Sequence, residues 1–501
     1  MQIREKSLGA DHPDVARTLL NLASLQAATR RHKEAQALFL RGIRTTELIR
    51  ESIFTLLSER QKLTFVHRQS PSIHTFVQHT SQFLSQDPLS IEGAFSSWLH
   101  WKGAVQEAQG RYLNALILSE DPVIREKWEE LQSVRRQIAR LWVAGPGRMN
   151  LEIYRRILSD HEKKRESLEA ELSALSQPYA LERRVGRADP ARIAELLPEN
   201  SLYLDYARVE FYDFLNDRPQ QSHYVVFALA KGPSLHLIDL GQSEKIDSLI
   251  QDYRKHINEI TNKGRLDRQQ SRQMKKLAAQ LNQHLIKPID SLLVNRTHLL
   301  VSPDGLLHLM PLEALVQEDG QYLLQKFRIS YLASGRDVVR WADPALPRNE
   351  AVVMADPDFE LSPKPQEISA ELRGGISGRF KEMSLARLPD SRKEGAEVAK
   401  FLQAWRKTNV KLYVGREAVE QVLMGVESPR VLHLATHGYF LEDAEQKNAT
   451  SGDFWEEGIP EASWQDASIR SGIFLAGAAR SLQQGHDEGL VSASKIEGMQ
   501  L

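Results

Sequence analysis

Residues Pro429 to Phe440 (PRVLHLATHGYF) place a histidine and a glycine directly after a short aliphatic run. The run Val431 to Ala435 predicts a buried strand, so His437 would lie at its carboxyl end, where open α/β sheets place their chemistry. This position makes His437 a candidate general base. The usual partner of such a histidine is a cysteine, and the sequence contains none. The stretch therefore predicts one half of a catalytic pair.

Composition excludes several classes of partner. The 65 basic and 66 acidic side chains nearly cancel, which removes the broad positive field that favours nucleic acid or an anionic membrane. No apolar run approaches the roughly 18 to 20 residues of a membrane span, and Met1 to Gly9 lacks the apolar core of a signal peptide. We therefore expect a soluble, cytoplasmic protein with no nucleic-acid or membrane partner. No motif predicts a cofactor, and the absence of cysteine excludes thiolate metal sites.

Residues 1–45 have the pattern of one helical repeat. Two helical stretches are separated by a basic break at Thr29 to His32, with small residues where the helices would touch. The apolar positions are Leu19, Leu22, Ala23, Ala35, Phe39 and Gly42. With its lead-in Gly9 to Asp14 (GADHPD), the segment resembles a tetratricopeptide repeat, although Gln26 replaces the usual aromatic and Arg30 the usual turn glycine. An unrelated helical hairpin is the alternative.

A single repeat of this kind cannot bury its own apolar face. Either earlier repeats precede it, or it docks on the helices that follow. Residues 46–185 are predicted to be a helical linker region that is almost wholly helical. They contain an antiparallel hairpin in which apolar residues recur every three or four positions, from Ile124 to Leu141 and from Tyr154 to Leu175, on either side of a break at Ala144 to Gly147.

From residue 190 the periodicity changes from helical to strand-like. Aliphatic strands that alternate with helices predict a mostly parallel α/β sheet that opens with hairpins and is flanked by helices. The predicted strands are Ser201–Val209, His223–Leu229, Leu235–Leu240, Thr297–Val301, Arg328–Tyr331, Ala351–Met354, Val410–Tyr413 and Val431–Ala435.

Several motifs in residues 190–501 occur in the order typical of one family. They are Val301 to Leu315 (VSPDGLLHLMPLEAL), Tyr331 to Arg336 (YLASGR), Ala355 to Phe359 (ADPDF) and Leu432 to Phe440, preceded by Leu57 to Gln61 (LSERQ) and Lys102-Gly103. Together they resemble the CHAT family, caspase-like peptidases associated with tetratricopeptide repeats. The resemblance implies a caspase-type fold, a cysteine endopeptidase acting on a protein or peptide, and regulation by a protein partner that binds the repeat and the helical region.

The resemblance also implies roles for two residues. His437 would take the proton of the cysteine thiol, whose ordinary pKa is near 8.5, and later protonate the leaving amine. Gly438 would offer its N–H to the developing oxyanion and leave room for the substrate backbone.

The sequence departs from the family pattern at its end. Ser471 to Ala478 and Glu488 to Leu501 resemble the segments that lead to the nucleophile strand, so the cysteine is expected roughly a dozen residues after Leu501. We therefore interpret the chain as a fragment in which the strand before His437 lacks a neighbour and leaves unpaired backbone at a sheet edge. A catalytically inactive scaffold for protein–protein interaction is the alternative function.

Other candidate sites have simpler interpretations. His433 and His437 would make a metal pair on a helix, but their aliphatic neighbours and the following glycine favour a strand, so no metal site is predicted. His308 lies in a turn flanked by proline and glycine and is predicted to be structural. The acidic segment 441–467 is interpreted as a solvated loop, or alternatively as the border of a substrate pocket that favours a basic residue.

Overall fold

The structure is a computed structural model. It describes residues 2–10, 12–54, 57–105, 121–144, 150–175, 189–216, 218–232, 234–263, 267–340, 349–361, 385–406, 409–440, 471–484, 488–496 and 499. The chain forms two compact units. The first unit is Met1–Ala108 with Leu181–Pro344, and the second is Gln109–Ala180 with Ala345–Leu501.

The helices in the described residues are α1 (Gln2–Leu8), α2 (Pro13–Ala28), α3 (His32–Ile53), α4 (Glu59–Phe83), α5 (Pro88–Trp101), α6 (Pro122–Ala144), α7 (Leu151–Leu175), α8 (Pro190–Leu196), α9 (Ser243–Lys263), α10 (Arg268–Leu285), α11 (Arg336–Arg340), α12 (Pro389–Arg406), α13 (Glu420–Met424), α14 (Ala478–Gln484) and α15 (Ala493–Ile496). The strands are β1 (Ser201–Val209), β2 (Tyr212–Asp213), β3 (Arg218–Pro219), β4 (His223–Ala230), β5 (Leu235–Gln242), β6 (His298–Ser302), β7 (Arg328–Tyr331), β8 (Ala351–Pro357), β9 (Val410–Gly415), β10 (Leu432–Ala435), β11 (Gly438–Phe440), β12 (Ser471–Phe474) and β13 (Leu490–Ser492). None of the helices in these ranges is long and apolar enough to cross a membrane.

Helices α2 and α3 form the predicted helix-turn-helix repeat. His12 caps α2, since its Nδ1 accepts the N–H of Asp14 at 3.1 Å, and Pro13 occupies the first helical position, where a missing N–H costs nothing. Gly42 permits close approach of the two helices, because a Cβ there would lie 2.9 Å from the Leu20 side chain. Residues of the repeat motif thus either cap a helix, as His12 and Pro13 do, or allow the two helices to pack closely, as Gly42 does.

The repeat packs on the helices that follow it. The rings of Phe39 on α3 and Phe76 on α4 are 5.5 Å apart. Gly93 on α5 faces Leu40 so closely that a Cβ would lie 2.6 Å from the leucine Cδ2. Burial of the repeat's apolar face is therefore shared with α4 and α5, the second of the two arrangements expected from the sequence.

The first unit contains a five-stranded mixed sheet in the order β5-β4-β1-β6-β7. β1 pairs with β4, and β4 with β5, in antiparallel fashion, whereas β1–β6 and β6–β7 are parallel. The sheet of this unit is therefore mixed: it opens with hairpins, as predicted, but only two of its four strand pairs are parallel. The physical reason is that short connections, such as the four residues between β4 and β5, can join only antiparallel neighbours, whereas a parallel pair needs a long crossover.

Strand β1 is buried on both faces of this sheet. Tyr203 and Ala207 belong to the apolar cluster shared with the α3–α5 helices, while Leu204 and Tyr206 belong to the cluster shared with α9 and α10. Because successive side chains of a strand point to opposite faces, β1 carries apolar residues at almost every position.

A buried ion pair joins the α5 end to the centre of the sheet. The Lys102 ammonium donates to Asp205 Oδ1 at 2.7 Å and to the carbonyl of Ser302 at 3.2 Å. The Lys102 side chain is 8% exposed and that of Asp205 is 0% exposed. Trp98 Nε1 donates to the same carboxylate oxygen at 3.1 Å. Lys102 of the family motif therefore has a structural partner inside the first unit.

The second unit contains two three-stranded sheets. One has the order β10-β8-β9 and is parallel throughout, and the other has the order β11-β12-β13 and is antiparallel throughout. Helices α6 and α7 also belong to this unit and form the predicted hairpin. Its seam is the apolar cluster Ile124, Leu131, Val134, Ile138, Leu168 and Leu172, with Trp128 and Leu158 packed against it.

Candidate functional site

His437 lies in the two-residue connection between β10 and β11. Leu432 and Leu434 pack into the apolar cluster of the parallel sheet, and Ala435 is buried. These residues explain why the chain is extended up to this point. Since β10 runs parallel to β8, His437 follows the carboxyl edge of the sheet, as the sequence suggested. Its side chain is half-buried.

One nitrogen of the His437 ring has a defined partner. Nε2 lies 2.9 Å from the carbonyl oxygen of Ala386. A carbonyl oxygen can only accept, so Nε2 must carry a proton in this contact. In the neutral imidazole Nδ1 is then the nitrogen with the free lone pair. On its flank the ring packs against Phe359, with 5.5 Å between centroids and a tilt of 34°.

Gly438 begins β11, an edge strand in the described part of its sheet. It is exposed and lies opposite Ile473. Hydrogen bonding in an antiparallel ladder alternates. The N–H of Phe474 donates to the carbonyl of His437 at 2.9 Å, so Gly438 falls at the non-hydrogen-bonded position of the ladder. Its N–H is therefore not used by β12.

Thr436 fastens the histidine-bearing connection to β12. Its hydroxyl donates to the carbonyl of Phe474, whose own N–H bonds to His437. Two bonds from consecutive residues to one residue of β12 restrict the backbone on which the imidazole is mounted.

A charged cluster lies next to Ala386. Asp356, at the end of β8, is buried and 1% exposed. Its carboxylate accepts Arg387 Nε on Oδ1 at 3.2 Å and Arg392 Nε on Oδ2 at 2.9 Å. The arginine side chains are 48% and 50% exposed, so each guanidinium reaches from solvent to the buried carboxylate.

The last described segment is anchored beside the same sheet. Glu420 Oε1 pairs with Lys495 Nζ at 2.8 Å, and Glu420 Oε2 accepts the N–H of Gly489 at 3.0 Å. Ile496 and Met499 pack into the apolar cluster that contains Leu432 and Leu434 of β10. In the described residues β10 pairs with β8 alone, so its other edge is open.

The remaining candidates lie apart from this arrangement. His433 lies within β10, with its Nε2 3.2 Å from Oε1 of Glu394 on α12. No group of three or more histidine and acidic side chains that could hold a metal occurs in the described ranges. His308 is in a short 3-10 helix, Gly305–Leu309, of the first unit. The acidic segment 441–467 lies outside the described residues.

Sequence reasoning identified His437 and Gly438 but not the groups that contact them. Ala386 contributes only a backbone carbonyl, for which no side-chain signal exists. Asp356 and Phe359 belong to the ADPDF motif, so the motif was a usable signal, although its connection to His437 is visible only in three dimensions.

The chain combines a helical repeat with β-sheets flanked by helices, and a histidine–glycine pair follows a parallel strand. These features define a class of α/β proteins that carry a helical repeat and a candidate site at the histidine. The family model for the CHAT domain matches residues 275–501, and that for a tetratricopeptide repeat matches residues 1–47. The chain therefore carries a CHAT domain and a tetratricopeptide repeat, and the resemblance drawn from its motifs is confirmed. A search of curated proteins finds no match to this chain.

Proposed function

We propose that this chain supplies the histidine half of a caspase-like cysteine endopeptidase site of the CHAT type. The observation that carries the proposal is the setting of His437. Its Nε2–H is directed to the Ala386 carbonyl, Nδ1 has the lone pair, and the exposed Gly438 follows at an open strand edge. A general base and an oxyanion donor need these features together.

The proposed chemistry uses the two ring nitrogens differently. Nδ1 takes the thiol proton, and the thiolate attacks the scissile carbonyl carbon, whose π electrons move to oxygen. The Gly438 N–H stabilises the resulting oxyanion. When the carbonyl re-forms, the C–N bond breaks and the imidazolium returns its proton to the leaving amine. Throughout, Nε2–H remains bonded to Ala386, which stabilises the imidazolium.

The nucleophile would come from polypeptide that continues after Leu501. In this proposal one more parallel strand would pair with the edge of β10 that has no strand partner in the described residues, and Met499 packs in the same cluster as the side chains of β10. A strand added there would end beside His437, because parallel strands end at the same edge.

The remaining parts of the chain have regulatory roles in this proposal. Residues 1–45 form the repeat, residues 46–185 the helical linker, and residues 190–501 the incomplete peptidase domain. A tetratricopeptide repeat supports protein–protein interaction. We propose that a cytoplasmic protein partner binds the repeat and helical region and controls cleavage of a protein or peptide substrate.

An inactive scaffold is the second candidate function, and the absence of cysteine from the sequence favours it. The two functions differ in the residue that follows on the added strand. A cysteine there supports the peptidase, whereas a side chain that cannot act as a nucleophile supports the scaffold.

The test extends the coding sequence past Leu501 and measures labelling by a thiol-reactive peptide probe and cleavage of a peptide library. We expect His437→Ala to lower the cleavage rate by a factor on the order of 100 to 10,000. The matched control is His433→Gln. His433 lies in β10, the strand before His437, and its side chain pairs with Glu394, so this variant should retain activity. Cleavage that survives His437→Ala would reject the mechanism.

A further inference from the structure

The segment that carries Ala386 is bound to the end of β8 through one residue, Asp356. Besides its two arginine partners, Asp356 donates its backbone N–H to Ser391 Oγ at 2.9 Å, and that hydroxyl donates to the carbonyl of Leu388 at 2.7 Å. The contacts span residues 387–392. They connect the residues just before α12 and the first turn of α12 to a single residue of the sheet.

The backbone of Asp356 is also unusual. Its φ is +46°, a left-handed conformation that is uncommon for residues other than glycine. Such conformations persist only where surrounding contacts hold them, and they concentrate at functional sites. At Asp356 the holding contacts are the Ser391 bond and the two guanidinium groups.

The connection to His437 runs through adjacent residues. Arg387 follows Ala386 in the chain, so their Cα atoms are about 3.8 Å apart. Where the Asp356 carboxylate holds the Arg387 guanidinium, the peptide of Ala386 is restrained as well. The Ala386 carbonyl in turn holds Nε2–H of His437.

We propose that Asp356 is a positioning residue for His437. Through Arg387 it holds the Ala386 carbonyl against Nε2–H, so the neutral imidazole presents Nδ1 toward the place of the nucleophile. The inference rests on the proposed catalytic role of His437. The Asp356 carboxylate would support His437 without contacting either the substrate or the imidazole.

Arg392 makes this arrangement sustainable. A buried carboxylate is costly unless it is fully paired. Arg387 binds both carboxylate oxygens through Nε and Nη2, and Arg392 Nε adds a second donor to Oδ2. Gly415, with φ +62°, provides the room, since a Cβ there would lie 3.0 Å from an Arg392 guanidinium nitrogen. Arg392 therefore neutralises the carboxylate while Arg387 transmits its position.

The test is the tautomer of His437 in the 501-residue chain, measured by NMR of protein labelled with ¹⁵N-histidine at about pH 8, above the ordinary histidine pKa. His437→Gln assigns the signal. We expect Nε2–H to predominate in the unaltered chain. In Asp356→Asn the ratio of the Nδ1–H to the Nε2–H form should rise roughly fivefold, the effect of losing one ordinary hydrogen bond.

Asp390→Asn is the matched control. It removes a carboxylate from the same turn, but one that is exposed and pairs with exposed Lys393, so the tautomer ratio should not change. If Asp356→Asn does not fold, Arg387→Gln replaces it, because it leaves the Asp356–Arg392 pair intact and should produce the same shift. A predominant Nδ1–H form in the unaltered chain, or an unchanged ratio in the folded variant, overturns the inference.

The measurement separates this inference from the proposed function. The tautomer is determined without a nucleophile, so an unchanged ratio rejects the positioning role and leaves the peptidase untouched. If the protein that continues past Leu501 does not cleave peptides while Asp356→Asn still shifts the tautomer ratio, the peptidase function is rejected instead.

Discussion

Tyr439 lies directly opposite Gly472 in the β11–β12 ladder. A Cβ on Gly472 would lie 2.7 Å from Cε1 of the tyrosine ring and would also meet the Val491 carbonyl of β13. Tyr439 packs in one apolar cluster with Phe359 and Phe474, and Phe359 contacts the His437 ring. The packing of the apolar cluster next to His437 therefore depends on the absence of a side chain at Gly472.

Gly472→Ala should destabilise the second unit. The added methyl group must displace the tyrosine or separate β12 from β13, which overpacking data put at about 1 to 3 kcal/mol. Urea denaturation, with hydrogen exchange of the β11–β13 amides, measures the loss. Gly425→Ala is the control, because a Cβ at Gly425 meets only ordinary contacts at 3.5 Å or more. Equal stability of the two variants would contradict the packing argument.

Lys102→Met should destabilise the first unit strongly. It removes the only ammonium in the described contacts of Asp205 and leaves a buried carboxylate uncompensated, at a cost of about 3 to 5 kcal/mol. Denaturant unfolding measures the change. Adding Asp205→Asn removes the stranded charge, so the double variant should be more stable than Lys102→Met alone.

The control for that prediction is Lys287→Met. Lys287 is 42% exposed and pairs with exposed Asp290 and Glu318. Exposed pairs contribute at most about 1 kcal/mol, so this variant should stay close to the unaltered chain. A loss comparable to that of Lys102→Met would show that burial of the pair is not the cause.

His79 should make the first unit less stable in acid. Burial, followed by the positive charge of His32, lowers the pKa of His79 to about 4 from its ordinary 6.5. The unfolded chain therefore binds the proton first as the pH falls. The contribution of His79 to the free energy of unfolding is therefore complete above pH 6.5. It is lost as the pH falls from 6.5 to about 4, and the loss reaches at most about 3 kcal/mol.

The measurement is the free energy of unfolding at several values of pH in the unaltered chain and in His79→Gln. We expect the slope between pH 6.5 and 4 to decrease in the variant. His79 Nε2 lies 3.2 Å from Nδ1 of His32, so the effect is also expected in hydrogen exchange of α3 and α4. His236→Gln, at an exposed position of β5, serves as the control, and a decrease in slope equal to that of His79→Gln would contradict the prediction.

Arg30→Gly should stabilise the repeat. Arg30 has φ +60° and stands at the turn position where a tetratricopeptide repeat usually has glycine. Left-handed conformations cost a residue with a Cβ roughly 1 to 2 kcal/mol. Relief of this strain outweighs the loss of a side chain that is exposed. Thermal unfolding is the measurement.

Arg31→Gly is the control for the repeat. Arg31 has φ −92°, which any residue can adopt, so glycine there only adds freedom to the unfolded chain and should destabilise. A gain in stability from Arg31→Gly, or none from Arg30→Gly, would contradict the strain argument.

Much of the secondary structure was predictable because its signals are local. The predicted hairpin corresponds to α6 and α7, and the predicted strand Arg328–Tyr331 matches β7. Strand partners were not predictable to the same degree. Nothing in the sequence of β1 shows that it pairs with β4 on one side and β6 on the other, because each partner is chosen by packing across long separations in the chain.

The amino-acid sequence by itself determined where the helices and strands lie, that a tetratricopeptide repeat precedes a CHAT domain, and that His437 and Gly438 follow a strand. These features depend on side-chain periodicity and short motifs, which operate over a few residues. Only the tertiary structure decided that the sheet of the first unit is mixed and that Ala386, 51 residues away, accepts the Nε2 proton of His437. The reason is that a backbone carbonyl has no identity in sequence and acquires a role only when folding directs it at a particular group.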